Sequence, residues 1–301
     1  MHDEGIVNEI KGAIVVFPDG KEIVIGGDRT HAFVIDRRAF DSSLAEKAMA
    51  EGAEYVLGKK VKKIVAKEFF EIEGIKARRL IGADGPKSLV ARQFNMGEIG
   101  FFNAIQGYGK YEMDEEFVKI FLSNEIAPGF FAWIIPADEA RIGLATLNKN
   151  VRKYFNAFLK KLNVSTNEIT AGLIPFGLRK FARERVALVG DAAGQTKATS
   201  GGGLYAGMKA AMMLAEHADN FLEYERDYMG GVGKELKRCI FMRKILNRMG
   251  DKGLNSIANI VEENIDLINK YGDIDYPSIV AKEIAKKHPL KTVAAIAKAF
   301  I

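Results

Sequence analysis

The segment from Arg185 to Gly207 constrains this chain more than any other. Four apolar residues, Val186 to Val189, lead into Gly190-Asp191-Ala192-Ala193-Gly194, then a loop of small residues, then the triple glycine Gly201 to Gly203. A short apolar run bounded by glycine reads as a buried strand, and the residues after Gly203 read as a helix that the glycines open. Small residues let a ligand lie against bare backbone, and a helix start offers free N–H groups and a positive dipole end to a phosphate. Asp191 stands at the strand's end, where a carboxylate can accept hydrogen bonds from sugar hydroxyls. The pattern predicts a site for part of a large phosphorylated cofactor.

At 301 residues the chain exceeds one typical core, so two or three subdomains are expected. Hydrophobic residues make up 48% and charged residues 28%, which is ordinary globular composition and argues against disorder. The single cysteine, Cys239, excludes an internal disulfide and a thiolate metal cluster and fits a reducing compartment. The histidines (His2, His31, His217, His288) are scattered, so no histidine metal site is expected. No apolar run approaches the roughly 18 residues of a membrane span, and the first residues are not a signal peptide. A soluble, cytoplasmic protein is therefore expected.

The net charge of +5 is uneven: residues 1–150 hold 20 Lys+Arg against 23 Asp+Glu, and residues 151–301 hold 24 against 16. The basic half can be a solvated lysine-rich surface, or a face for anionic lipid headgroups or an anionic substrate. No motif supports nucleic-acid binding.

Along the chain, Ile6 to Ile10 and Ala13 to Phe17 read as strands, and Pro18-Asp19-Gly20 turns the second into a hairpin with Lys21 to Ile25. A short strand, Phe33 to Ile35, precedes a helix expected from Phe40 to Glu51, with Asp41 as a plausible cap and Phe40, Leu44, Ala48 and Met49 as its apolar stripe. Gly52 to Leu57, Lys60 to Ala66 and Arg79 to Gly82 read as further strands. Residues 99–147 look β-rich and aromatic, Val151 to Leu162 is an amphipathic helix, and the chain after the glycine-rich segment is helical to its end. The methionine and aromatic series of that last part (Met208, Met212, Tyr224, Tyr228, Phe241) suits a plain core or a wall for a greasy substrate.

Three further clusters carry chemistry. In Asp36-Arg37-Arg38-Ala39-Phe40-Asp41, Arg37 sits at a strand-to-helix junction, where it can reach a pyrophosphate or form a surface salt bridge. Gly82-Ala83-Asp84-Gly85-Pro86-Lys87-Ser88 again places small residues at a strand end, with Asp84 and Ser88 as hydrogen-bonding groups; by itself it is also an ordinary turn. Pro128 to Pro136 is a strand carrying Phe130, Phe131 and Trp133, which can equally be a core edge strand. By the period of two, Phe131, Trp133 and Ile135 share one face of it.

Taken together and in this order, these clusters resemble the flavin-dependent geranylgeranyl reductase family, within the p-hydroxybenzoate-hydroxylase-like flavoproteins. The resemblance runs from about residue 5 to about 250. It rests on Asp36-Arg-x-x-Phe-Asp41, on the Gly82-Ala-Asp-Gly-x-x-Ser-x-Val-x-Arg92 run, on Gly190-Asp-Ala-Ala-Gly with the triple glycine, and on Phe131-Ala-Trp-Ile-Ile-Pro136, similar to a Tyr-x-Trp-x-Phe-Pro substrate motif. Tyr224-Glu-Arg-Asp-Tyr228 looks like the family's tail. The resemblance implies an α/β (α+β) fold: an incomplete FAD/NAD(P)-binding Rossmann-like domain, an inserted antiparallel-sheet substrate domain and a helical C-terminal tail. The implied division is 1–33 with 97–178 for substrate, 34–96 with 179–221 for FAD, and 222–301 for the tail.

The resemblance also implies a cofactor, FAD, contacted by Arg37, the backbone at Val61, Asp84, Asp191, Gly203 and Leu204. Phe131, Trp133 and Pro136 would line an isoprenoid channel. The implied reaction saturates C=C bonds of geranylgeranyl chains on lipids, with reduced ferredoxin or NAD(P)H as external electron donor and peripheral contact with the inner face of the cell membrane. The proton donor is not named by the sequence. Two departures stand out. Phe131 replaces the motif's tyrosine, and the family's opening strand–Gly-x-Gly-x-x-Gly–helix unit has no counterpart before Ile6, so the chain looks like a member lacking its amino-terminal segment. The near match Gly201-x-Gly203-x-x-Ala206 belongs to the flavin-side loop, and Cys239 to a tail helix. Two other readings remain open: a flavin-dependent monooxygenase or halogenase, whose Trp-x-Trp-x-Ile-Pro strand Trp133-x-Ile135-Pro136 partly matches, and a non-catalytic fragment that works with a separate nucleotide-binding chain.

Overall fold

The computed structural model describes residues 5–289. The chain opens with β1 (Ile6–Ile10), β2 (Gly12–Val16), β3 (Glu22–Gly26), β4 (Ala32–Ile35) and α1 (Arg37–Ala50). Short strands follow, β5 (Val65–Ala66), β6 (Phe70–Ile72), β7 (Ile75–Ala77) and β8 (Leu80–Gly82), and then α2 (Leu89–Gln93). The middle holds β9 (Gly100–Gly109), β10 (Phe117–Phe121), β11 (Ala132–Ile135), β12 (Ala140–Thr146), α3 (Val151–Leu162) and β13 (Asn167–Phe176). After β14 (Val186–Leu188) and a 3-10 turn at Gly190–Ala193, the chain is helical: α4 (Leu204–Glu216), α5 (Phe221–Gly230), α6 (Val232–Glu263), α7 (Ile265–Tyr271) and α8 (Ser278–Lys287). Helix α6 is broken at Gly250, whose φ of 59° and ψ of −177° are not helical. The part of the expected helical tail beyond residue 289 lies outside the described residues.

The described residues form two compact units, 5–57 with 103–172 and 246–289, and 58–102 with 173–245. Seven strands pair in the order β13-β9-β12-β11-β10-β2-β3, with β10 and β2 parallel. In the first unit, one face of this sheet is buried under α3. Phe155 and Phe158 of that helix, with Val151, Tyr154, Leu159 and Leu162 beside them, meet Ile105, Phe121, Ala132, Ile134, Ile142 and Leu144. Those helix positions recur at i, i+3, i+4, i+7 and i+8, the spacing of one helical face, and each buried phenylalanine is worth roughly 1.5–3 kcal/mol. A second cluster packs Phe17 and Ile23 of the β2–β3 hairpin against Ala258, Ile257 and Val261 of α6. The second unit is built on the parallel pair β8–β14, with Leu80, Val186, Ala187 and Leu188 packed among Ala206, Ala210, Leu214, Tyr224, Tyr228 and Leu236. The mixed α/β architecture is the one the sequence implies.

Several local expectations are corrected. Helix α1 starts at Arg37, because the Asp36 side chain accepts hydrogen bonds from the backbone N–H groups of Arg38 and Ala39. Asp36 is therefore the cap, and Asp41 instead pairs with Arg37. Of the expected stripe on α1, Phe40 is buried while Leu44 and Met49 are exposed. Residues 53–64 form no strand. The Gln93 side chain holds both the N–H and the C=O of Ile64, so a side chain satisfies backbone that a ladder would otherwise pair. The aromatic strand contracts from 128–136 to β11. In the helical part Tyr224, Tyr228, Leu214 and Leu236 are core, whereas Met208, Met212 and Phe241 are exposed. Among the described residues no helix is long and apolar enough to cross a membrane, and no group of His, Cys, Asp and Glu side chains is arranged to hold a metal.

Candidate functional site

In the second unit the parallel strands β8 and β14 end side by side, and the Val189 N–H donates to the Gly82 carbonyl at 3.0 Å. Beyond β8, Asp84 organises its loop. One carboxylate oxygen accepts from Ser88 Oγ at 2.6 Å, and the other from the N–H groups of Leu89 and Val90 at 2.6 and 3.2 Å. Asp84 and Ser88 together thus cap α2. A cleft of about 860 Å³ opens beside this loop, lined by Val61, Ile64, Ile72, the β8 backbone, Ala83 and Asp84. Four cations, Lys60, Lys62, Lys87 and Arg92, line it against the one carboxylate, so it favours an anionic ligand.

Beyond β14 the backbone turns at Gly190, where φ is +66° and a side chain would point into open space. The buried Gln195 fixes this turn. Its Oε1 accepts from Gly190 N–H at 2.6 Å, its Nε2 donates to Tyr224 Oη at 2.7 Å, and Tyr224 Oη donates to the Leu188 carbonyl at 3.1 Å. Burial raises the Tyr224 phenol above its ordinary pKa, so it remains a donor. Thr196 Oγ1 reaches Asp191 Oδ1 at 3.3 Å. The loop then folds on itself through Lys197 N–H to Gly202 C=O and Gly201 N–H to Lys197 C=O. The buried Arg243 ties it to α6, with Nε donating to the Ala198 carbonyl at 2.8 Å and Nη2 to the Thr199 carbonyl at 2.6 Å. Desolvation lowers Arg243 to about 10, which leaves it cationic at neutral pH.

Gly203 is the N-cap of α4 and brings no side chain to cap it. A Cβ at Gly203 would lie 3.1 Å from Thr196 Oγ1 and 3.3 Å from Asp191 Oδ1, so only glycine leaves the space between the carboxylate and the helix start. A thirteen-residue helix starting on bare backbone, an acidic side chain at the preceding strand end and a basic cleft make a donor set that fits a dinucleotide-like cofactor. Val61, Asp84, Asp191, Gly203 and Leu204 all belong to this unit, with the Asp84 carboxylate turned to the cap of α2.

The first unit contributes a sheet face. On β11, Ala132 and Ile134 point into the core under α3, while Phe131, Trp133 and Ile135 are half-buried on the other side. The indole N–H of Trp133 donates to Gln106 Oε1 of β9 at 3.0 Å, passing over Gly143 of β12, which pairs with both. A Cβ at Gly143 would lie 2.7 Å from two indole carbons, so glycine there makes the bed for the ring. Phe131 packs edge-on to Trp133 at 6.0 Å and stacks on Phe130 at 4.2 Å. Pro136, which follows the strand, is buried. Arg37 also lies in this unit, where it is exposed and holds both carboxylate oxygens of Asp41, at 3.2 and 2.9 Å. Gln106, Gly143, Gln195 and Arg243 were not marked by the sequence, since strand register and helix packing give them their partners.

No protein-family model matches the chain. An uncharacterised protein of Methanocaldococcus jannaschii is 29% identical over 94% of the chain and 81% of its own length. The digeranylgeranylglycerophospholipid reductase of the same organism is 29% identical over 95% of the chain and 82% of its own length, and that of Methanothrix thermoacetophila 28% over 85% and 76%. The fold matches a geranylgeranyl bacteriochlorophyll reductase-like protein from Thermoplasma acidophilum with a TM-score of 0.80, at 19% identity over 98% of the chain and 84% of that protein. The resemblance to the geranylgeranyl reductases holds. A flavin-dependent brominase shares the fold more loosely, with a TM-score of 0.58 at 14% identity over 98% of the chain and 79% of its own. The fold is thus of the p-hydroxybenzoate-hydroxylase-like type, and these neighbours include flavin-dependent enzymes.

Proposed function

We propose that this chain is an FAD-dependent oxidoreductase that saturates C=C bonds of geranylgeranyl chains in the synthesis of archaeal-type isoprenoid lipids. The observation that carries this reading is the similarity to digeranylgeranylglycerophospholipid reductases across most of the chain. A bound flavin supplies hydride to one alkene carbon, and a proton completes the other. The chain's own residues bind and orient. The uncapped start of α4 at Gly203 and Leu204 offers backbone N–H groups to the cofactor, and Asp191 accepts hydrogen bonds from its hydroxyls. Val61 and the Asp84 loop shape the cleft for its far half. Phe131 and Trp133 give the prenyl chain an apolar wall, while the buried Pro136 falls on the core side of the strand. Reduced ferredoxin or NAD(P)H fits as the electron donor. Peripheral contact with the cytoplasmic face of a membrane suits a lipid substrate and the basic second half of the chain.

The test is anaerobic incubation of the protein with excess FAD, dithionite and a digeranylgeranyl glycerophospholipid, followed by mass spectrometry. A gain of two hydrogens per saturated bond is expected. Flavin bound without saturation, or product formed only with oxygen and halide or hydroxylated, would overturn the reading in favour of a halogenase or monooxygenase. Asp191→Ala should weaken FAD binding by about 1.5–3 kcal/mol, read by flavin fluorescence, and an unchanged affinity would remove this loop from the cofactor site.

A further inference from the structure

The sheet face that carries Phe131, Trp133 and Ile135 ends on a cation. Arg141 of β12 lies opposite Ile135 in the β11–β12 ladder and opposite Tyr108 in the β12–β9 ladder, so these three side chains stand side by side on that face. Trp133 is one two-residue step along β11, opposite Gly143, which places it diagonally from Arg141 at a spacing of roughly 7–8 Å. Arg141 is half-buried. Its Nη2 donates to the Ile35 carbonyl at 2.9 Å, and its Nε, closed off from solvent, meets no acceptor among the described residues. Asp36, beside Ile35, directs its Oδ1 to the N–H groups of Arg38 and Ala39 at the start of α1.

A guanidinium on an apolar face is costly to hold there without an anion, because part of its hydration is lost and little is returned. Its planar fork of donors matches the paired oxygens of a phosphate or a carboxylate. Along β11, apolar and aromatic side chains lead away from it through Ile135, Trp133 and Phe131. The face is therefore amphiphilic lengthwise, charged at one end and greasy along the rest.

We propose that Arg141 receives the phosphate or diphosphate of an anionic prenyl lipid whose chain lies along Ile135, Trp133 and Phe131. The proposal rests on the reading of this face as the substrate wall and adds the polarity of the substrate and the direction in which it lies. The ligand class is a phosphate ester carrying a long isoprenoid chain; a prenyl diphosphate and a diprenyl glycerophospholipid share that chemistry.

Trp133 is the only tryptophan of the chain, so its fluorescence reports this face alone. The full chain would be titrated with geranylgeranyl diphosphate, a digeranylgeranyl glycerophosphate, the neutral alcohol geranylgeraniol, and inorganic diphosphate. The expected result is a tryptophan response to all three lipids, with at least about tenfold tighter binding of an anionic lipid than of the alcohol. Whichever anionic lipid binds more tightly identifies the source of the phosphate. Inorganic diphosphate should compete with the anionic lipid and leave the alcohol unaffected. Arg141→Gln should abolish the preference without changing alcohol affinity, and Arg141→Lys should keep part of it, with circular dichroism confirming that both variants fold. If Arg141→Gln weakens alcohol and anionic lipid alike, Arg141 is only a tie to Ile35 and the proposal falls, while the substrate wall stands. If no lipid changes the wild-type emission, the substrate wall falls as well.

Discussion

Trp133 is held flat by two residues that have nothing in common except their place in the ladder. Gln106 accepts its N–H, and Gly143 supplies the bare backbone beneath it. Gly143→Ala puts a methyl group 2.7 Å from the indole and 2.8 Å from the Ile105 carbonyl, so the ring must tilt off the sheet. Overpacking of this kind costs about 1–3 kcal/mol. A lower melting temperature, a shifted Trp133 emission and a larger rise in KM for long than for short prenyl substrates are expected; unchanged emission would mean that the ring does not rest on Gly143. The sequence singles out Trp133 and its alternation with Ala132 and Ile134, because one strand carries its own period. Gln106 and Arg141 are silent in sequence. Each lies on a neighbouring strand, and only the register of β9, β11 and β12 brings them to the same face.

At the scale of elements, the stretch from β14 to α4 is the most legible part of the chain. An apolar strand, a loop of small residues and a glycine-opened helix each have a local cause, and all three are present as read. What holds the loop rigid is not local. Arg243, forty-odd residues on, donates to the Ala198 and Thr199 carbonyls from inside α6, and Gln195 ties Gly190 to Tyr224 of α5. Arg243→Met keeps an unbranched apolar stem but leaves both carbonyls without their donor, which costs about 1–3 kcal/mol for each buried group left unsatisfied. Amide exchange across residues 196–203 should accelerate while that of β14 stays slow, and FAD affinity should fall with it. If exchange in the loop were unchanged, Arg243 would be only filling space. At Ile64 the expected strand gives way for the same physical reason, since a glutamine side chain distant in sequence takes the place of a partner strand there.

For the molecule as a whole, the mixed α/β order is legible in outline, while β6, β7 and α2 are too short to carry a period, and the division into two units follows less directly, because each unit is assembled from separated stretches of chain. The pH dependence of stability is likewise a sum over the molecule. The net charge of +5 at pH 7 shrinks toward zero near pH 9.0, which relieves self-repulsion up to that point, and turns negative above it. Burial raises the Tyr224 pKa in the folded chain above the ordinary value of 10.0, so above pH 10.0 the unfolded chain releases this proton while the folded chain keeps it. The stabilisation is present in full below 10.0 and is lost as pH climbs toward the folded value. Cys239, raised from 9.0 mainly by the same desolvation, adds to the loss in the same direction. Urea midpoints should therefore fall between about pH 9 and about pH 11, where the growing negative charge acts in the same direction. Tyr224→Phe should be less stable at pH 7 by about 1–3 kcal/mol, because Gln195 Nε2 and the Leu188 carbonyl lose their partner. Its midpoint should also fall less steeply with pH than that of the wild type. A variant with the wild-type alkaline slope would show that the Tyr224 phenol ionises freely in the folded protein, and that burial and the Leu188 carbonyl do not hold its proton in place.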